Sequence, residues 1–331
     1  MTAQADHLTQ GQQLIDIRHL SGRDLDPLLL EAAAEWDLEL YADFSKFAGI
    51  VRRLADLRRL NGAALLEGGE VAGYGCTSLE DHKGLITDVY VRPGWRSGNA
   101  EAMLVTALFD GLTGTPGVRR VEGQLMLVGG AAVRALQQKR PVRLFERLMM
   151  KLDANALLAP GPAIAQRFRI DPWDGQHHAS AAAIISLAHM GHTDWQINDQ
   201  YRTIGGAGRL LSNITQFPGF HPPASYTAFD AATQSAAGIV LSTLLADDSA
   251  QITELCVTPP AKGAGLGYEL LRRSIATLRE AGAKRISLSV TAANGDAVRL
   301  YTRCGFRTAR QYYACVWECE AQPESAGRMA A

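Results

Sequence analysis

The sequence predicts an α/β fold built twice along one chain, and three observations carry that prediction. At 331 residues, the chain has room for two domains that each bury a core. Three blocks recur in the same order at an offset of 165 or 166 residues. In each copy, short alternating apolar runs precede a loop and a helix with an apolar stripe, which is how strands and helices alternate in α/β proteins.

In the longest block, ITDVYVRPGWRSGNAEAML from Ile86 aligns without a gap on ITELCVTPPAKGAGLGYEL from Ile252. Asp88 falls on Glu254, Tyr90 on Cys256 and Arg96 on Lys262. Upstream, VAGYGCTSL from Val71 matches AAGIVLSTL from Ala236, and downstream AAVRAL from Ala131 matches DAVRLY from Asp296. The copies occupy residues 13–155 and 166–320, with a join whose Pro160 and Pro162 interrupt regular structure. The tail from Ala321 has little to bury and is expected to fray.

Strands are predicted at 63–66, 71–79 and 85–91 in the first copy, and at 226–230, 238–245 and 252–257 in the second. Phe168 to Trp173 opens the second copy as a strand. After the glycine-rich loop, Leu266, Leu270, Leu271, Ile275 and Leu278 form a helical stripe, and Gly282 stops the helix. Ile286, Leu288 and Val290 alternate with serines, which is strand periodicity. Ala297, Leu300, Tyr301 and Cys304 are spaced for a second helix that closes at Gly305.

Composition narrows the function. Lys and Arg number 33 against 34 Asp and Glu, so no cationic excess points to nucleic acid as the main partner. The greasiest run, Ala181 to Ala188, is too short to span a bilayer, and the polar N-terminus lacks a signal-peptide core; a cytoplasmic protein without membrane partners is expected. Five cysteines are read as reduced thiols. Cys315 and Cys319 have no second Cys/His pair nearby, and His189-x-x-His192 lacks a carboxylate at a recognised spacing, so no metal is expected.

The strongest chemical signal is Lys262-Gly263-Ala264-Gly265-Leu266-Gly267, set between a strand and a helix. Its glycines permit a tight turn, and the free N–H groups of the helix start suit a phosphate. A Walker loop is absent, and Tyr268 stands where a dinucleotide fingerprint places its third glycine. The remaining pattern is [Q/R]-x-x-G-x-[G/A], with Lys262 in place of its first residue.

With ELCVTP, KGAGLGYELL and SLSVTAANGDAVRLYTRCGF, the block from Thr253 to Phe306 resembles the acetyl-CoA-binding part of the GNAT N-acetyltransferase superfamily. The pairing of two such copies is similar, in organisation alone, to the mycothiol synthase type. The resemblance implies two domains, each a mixed twisted sheet flanked by helices, with the fourth and fifth strands splayed around acetyl-CoA as co-substrate and no metal. It implies that the backbone of Leu255, Cys256 and Val257 faces the acyl-pantetheine arm. Lys262 and the backbone N–H groups of Gly263, Ala264, Gly265, Leu266 and Gly267 would hold the pyrophosphate. It makes Tyr301 the acid that protonates the departing thiolate, although the spacing of Tyr301 also suits a core position. Asn294 either binds the pantetheine or caps the helix.

Glu254, on the strand beside the thioester, is the candidate general base; a strand-edge carboxylate paired with an arginine is the alternative. Cys256 has no histidine adjacent in the motif and reads as a small buried thiol rather than a nucleophile. The family's first helices cover the acceptor, which points to His189, His192, Asp194, Asn198 and Tyr201. In the first copy Asn99 replaces Gly265, Glu101 replaces Gly267, Gly129 replaces Asn294 and Leu136 replaces Tyr301. That copy is therefore expected to bind CoA weakly or not at all and to serve as a structural partner. The reading is an N-acyltransferase acting on a small-molecule amine or a protein lysine in a ternary complex. It works as a monomer with an internal pseudo-dimer or as a homodimer. A non-catalytic acyl-CoA-binding scaffold and a dinucleotide-dependent oxidoreductase are the rivals.

Overall fold

The structure, a computed structural model, describes residues 11–41, 43–96, 99–153, 158–161, 164 and 166–319. Pro162 of the join and the tail from Ala321 lie outside the described residues. The first repeat runs β1 (Gln12–Asp16), α1 (Gly22–Glu35), α2 (Ser45–Asp56), β2 (Asn61–Glu67), β3 (Glu70–Glu80), β4 (Lys83–Val91), α3 (Ala100–Thr113), β5 (Arg120–Leu125), α4 (Gly130–Lys139) and β6 (Arg143–Asp153). The second runs β7 (Phe168–Pro172), α5 (His178–His189), α6 (Asp194–Ile197), α7 (Ile204–Gln216), β8 (Tyr226–Asp230), β9 (Ala236–Ala246), β10 (Ser249–Val257), α8 (Leu266–Glu280), β11 (Arg285–Thr291), α9 (Gly295–Arg303) and β12 (Arg307–Glu318).

Each repeat forms the mixed sheet with flanking helices that its sequence predicts. The two half-sheets are continuous, which the sequence did not suggest. They form one sheet of 12 strands in the order β1-β2-β3-β4-β5-β12-β6-β11-β10-β9-β8-β7. The repeats exchange their last strands. β12 pairs with β5 of the first repeat, and β6 pairs with β11 of the second. Between them β6 and β12 pair antiparallel from Arg307 opposite Lys151 to Val316 opposite Arg143. The stretches 13–155 and 166–320 therefore each complete the other's sheet.

Both faces of the sheet are covered, because strand side chains alternate between them. Along β9, Ile239 and Leu241 pack towards α5 and α7, while Val240 packs towards α8. The predicted α8 stripe is the buried one: Leu266 and Leu270, Leu271, Ile275 and Leu278 are all 1% exposed or less. Each such burial stabilises the fold by about 1.5–3 kcal/mol. On the first repeat, α3 and α4 cover one face, and α1 and α2 the other. No helix among the described residues is long and apolar enough to cross a membrane.

The opening that the site uses comes from the sheet itself. β10 and β11 pair in parallel only from Ser249 to Gln251, opposite Arg285 to Ser287. Beyond Gln251, β10 has β9 on one side and no strand on the other. A bulge between Ile252 and Glu254 re-aims the strand at this point. The first repeat repeats both features, with β4 and β5 paired only from Lys83 to Ile86 and a bulge before Asp88.

Candidate active site

The splayed end of β10 carries Glu254, Leu255, Cys256 and Val257. Glu254 and Cys256 are alternate residues of one strand and face α5, while Leu255 and Val257 pack towards α8. Glu254 is 8% exposed yet well partnered. Its Oε2 accepts a hydrogen bond from the Tyr201 hydroxyl at 3.1 Å, and its Oε1 accepts one from the Cys256 thiol at 3.1 Å. His189 Nε2 lies 3.9 Å from the same Oε1. The His189 ring stacks on Tyr201 at 3.8 Å between centroids, and its Nδ1 is 2.9 Å from the Ile185 carbonyl one helical turn back. The histidine that the motif lacks locally is thus delivered by α5.

The next layer holds the loop from His189 to Arg202. His192 Nδ1 lies 3.0 Å from Asp194 Oδ2. Asp194 Oδ1 accepts from Arg147 Nη1 at 2.8 Å and from the Thr291 hydroxyl. Burial opposes ionisation of Asp194, but His192, Arg147 and Thr291 outweigh it and hold the carboxyl down at about 2. Arg147 belongs to β6 of the first repeat, so the exchanged strand completes the second repeat's site. Sequence reasoning missed Arg147 and Thr291, since nothing near either marks the pairing of β6 with β11. Asn198 is not part of the cluster, because its side chain accepts from Gln200 N and caps the short turn Asp199–Arg202. That turn docks on the first repeat through Asp199 to buried Lys83 at 2.8 Å, and on the exchanged strand β12 through Arg202 to Glu318 at 2.7 Å.

Tyr301, on α9, is buried in the core cluster shared with α8 and β11 and packs edge-on against Phe306. Burial and the neighbouring Glu254 push its hydroxyl pKa up. Burial and Glu254 likewise push the Tyr201 hydroxyl and the Cys256 thiol well up. All three groups hold their protons at neutral pH. Asn294 caps α9, with Oδ1 accepting from Ala297 N at 3.2 Å.

The glycine-rich loop has the backbone of an anion cradle. Gly263 has φ 75° and Gly265 has φ 83°, a left-handed conformation that costs other residues about 1–2 kcal/mol. Gly265 is the N-cap of α8 and has no side chain to satisfy the first N–H groups of the helix. Lys262 and Gly263 are exposed, Ala264, Gly265 and Gly267 are half-buried, and Leu266 anchors the turn in the core. A helix start of this kind, beside an unpaired strand end, suits a phosphate-bearing ligand.

The Acetyltransferase (GNAT) family model matches residues 196–306, which include the bulged strand, the loop, α8, β11 and α9. The chain matches this family model over about a third of its length, within the second repeat. It is 27% identical over 253 residues to the mycothiol acetyltransferase of Thermobispora bispora, covering 73% of this chain and 78% of the relative. The N-alpha-acetyltransferase MAK3 of Arabidopsis thaliana is 36% identical over 62 residues, 19% of this chain and 33% of that protein. In fold, the chain is similar to the GCN5-related N-acetyltransferase from Sphaerobacter thermophilus, with TM-score 0.66, 17% identity, and 94% and 97% of the two chains covered. It is also similar to a tandem GNAT protein from the clavulanic acid biosynthesis pathway, with TM-score 0.55, 14% identity, and 94% and 100% covered.

The second repeat differs sharply from the first at the loop. Asn99 caps α3 with φ −98° instead of a left-handed turn. The Glu101 carboxylate, 8% exposed, reaches from α3 to the start of α4 and accepts from Gly129 N at 3.2 Å. A Cβ on residue 129 would lie 2.9 Å from that carboxylate. In the first repeat a side chain of the protein itself therefore bridges the two helix starts, where the second repeat has Gly267 and Asn294 at the matching positions.

Proposed function

We propose that the second repeat transfers an acetyl group from acetyl-CoA to an amine by direct attack in a ternary complex. The observation that carries this reading is the separation of β10 from β11 beyond Gln251, with Glu254 on the splayed strand near enough to Tyr301 to act on its hydroxyl. Lys262 and the backbone N–H groups of Gly263 to Gly267 bind the pyrophosphate. The unpaired edge of Leu255, Cys256 and Val257 lines the acyl-pantetheine arm, and Asn294 supports the pantetheine through the start of α9. Glu254 takes a proton from the acceptor ammonium. The amine nitrogen attacks the thioester carbonyl, the C–S bond breaks, and Tyr301 protonates the departing thiolate. An unpaired backbone N–H on β10 that meets the carbonyl oxygen contributes about 3–4 kcal/mol to the transition state.

His189, His192, Asp194 and Tyr201 form the acceptor side, and the acceptor is a small-molecule amine or a protein lysine. The first repeat is a degenerate copy that does not bind CoA, because Glu101 adds a carboxylate where a diphosphate would lie. The internal pairing of repeats supports a monomer, and the sequence composition supports a cytoplasmic location.

Calorimetric titration with acetyl-CoA, together with thiol release across a panel of amines, tests the reading. Gly265→Glu is expected to abolish acetyl-CoA binding, and Asn99→Glu to leave it unchanged. Equal loss from both, or tight binding of NAD(P)H without CoA binding, overturns the assignment. CoA binding with no turnover on any amine favours a scaffold role.

A further inference from the structure

We propose that Glu254 Oε1, Cys256 Sγ and His189 Nε2 form a three-ligand site for a borderline-soft divalent ion of the zinc type. The ligand atoms of these residues all lie within 4.8 Å of one another. Three separations are explicit: Cys256 Sγ is 3.1 Å from Glu254 Oε1, His189 Nε2 is 3.9 Å from that oxygen, and Cys256 Sγ is 3.8 Å from His189 Nδ1, so the ring must turn its Nε2 towards the sulfur to ligate. A tetrahedral zinc site with ligand bonds of about 2.0–2.3 Å has edges of roughly 3.3–3.8 Å, so small side-chain adjustments close the triangle. One thiol, one imidazole and one carboxylate suit zinc or cobalt, whereas magnesium and calcium favour oxygen donors throughout.

The surrounding groups already orient each donor. The Ile185 carbonyl, 2.9 Å from His189 Nδ1, engages that nitrogen as acceptor and leaves Nε2 with its lone pair free. Stacking on Tyr201 fixes the ring plane. The Tyr201 hydroxyl holds Glu254 Oε2, which leaves Oε1 as the oxygen facing both other donors. A carbonyl behind the histidine and a donor behind the carboxylate are the supports that metal ligands characteristically have. The sequence could not suggest this set. His189-x-x-His192 supplies one ligand rather than two, and the other two come from β10 more than sixty residues on.

Binding replaces the thiol proton that Cys256 now shares with Glu254. The S–H bond breaks, an S–metal bond forms, and the proton leaves to solvent. Three protein ligands leave the fourth position of the ion for water or an incoming ligand. Because the ion uses Glu254 Oε1, it competes with any proton transfer at that atom.

The test titrates the full-length, reduced, metal-free chain with Co²⁺ and follows absorbance. A single equivalent is expected to raise a thiolate-to-cobalt charge-transfer band in the near ultraviolet, and Zn²⁺ should displace it. Cys319→Ser, at the exposed cysteine, should retain the band, while Cys256→Ser should lose it. Tyr201→Phe should weaken Co²⁺ affinity by about 10–100-fold. Thermal unfolding of each metal-free variant establishes that it is folded. If Cys256→Ser is not, His189→Ala at the end of α5 must weaken binding at least as much as Tyr201→Phe. No charge-transfer band in the unaltered chain, or a band that survives in folded Cys256→Ser, overturns the site. The readout does not depend on acetyl transfer, so the ion site and the proposed activity fail or stand separately.

Discussion

Arg147 donates to Asp194 across 2.8 Å, and the two residues belong to different repeats. The side chains are 15% and 12% exposed, so the pair is largely removed from water. Removing one partner of a buried pair leaves an uncompensated charge and costs about 3–5 kcal/mol. Arg147→Gln should therefore lower stability by about that amount in urea unfolding. Under the proposed function it should also raise KM for the acceptor more than that for acetyl-CoA, since Asp194 lies on the proposed acceptor side.

The partners of Asp194, His192 first and then Arg147 and Thr291, make stability depend on acid pH. Asp194 titrates at about 2 when folded and near 3.8 when unfolded. Its contribution is complete above pH 4 and is lost as pH falls through 2, which amounts to about 2 kcal/mol. Asp194→Asn should remove that part of the acid dependence, measured as the difference in urea midpoints between pH 5 and pH 2. An unchanged pH profile in the variant would count against the pairing.

Asp88, the counterpart of Glu254, behaves in the opposite sense. Burial pushes its carboxyl up to about 6, even though Tyr74 donates to it at 2.7 Å. Between pH 4 and pH 6 the folded chain holds a proton that the unfolded chain has released. Stability therefore falls as pH rises through that window, by about 3 kcal/mol at most. Asp88→Asn should stabilise the protein at pH 8 and leave it unchanged below pH 4. Equal effects at both pH values would show that Asp88 is ionised when folded.

Tyr301→Phe keeps the ring in the core beside Phe306 and removes only the hydroxyl. Under the proposed mechanism kcat should drop by about 10²-fold or more, as loss of a general acid does, with acetyl-CoA affinity unchanged. Parallel loss of thermal stability and affinity would instead assign Tyr301 to packing alone.

Because β6 and β12 are exchanged, residues 13–155 expressed alone should not give a stable monomer. The isolated stretch lacks β12 and leaves β5 and β6 with open edges, which promotes association. Co-expression of 13–155 with 166–320 should restore a one-to-one complex that unfolds in a single transition. Two independently stable monomers by ultracentrifugation would contradict the exchange.

The elements themselves were legible along the chain. The repeat located both copies, period-two alternation located β11, and the Leu266–Leu278 stripe located α8, because those signals arise among near neighbours. Glu254, Tyr301 and the Gly265 turn were legible for the same reason. The tertiary structure alone decided that β6 pairs with β11, that Arg147 reaches Asp194, that Glu101 bridges to Gly129, and that His189 meets Cys256. A strand presents the same alternating pattern whichever edge it joins, and a side chain carries no local record of what another segment brings against it.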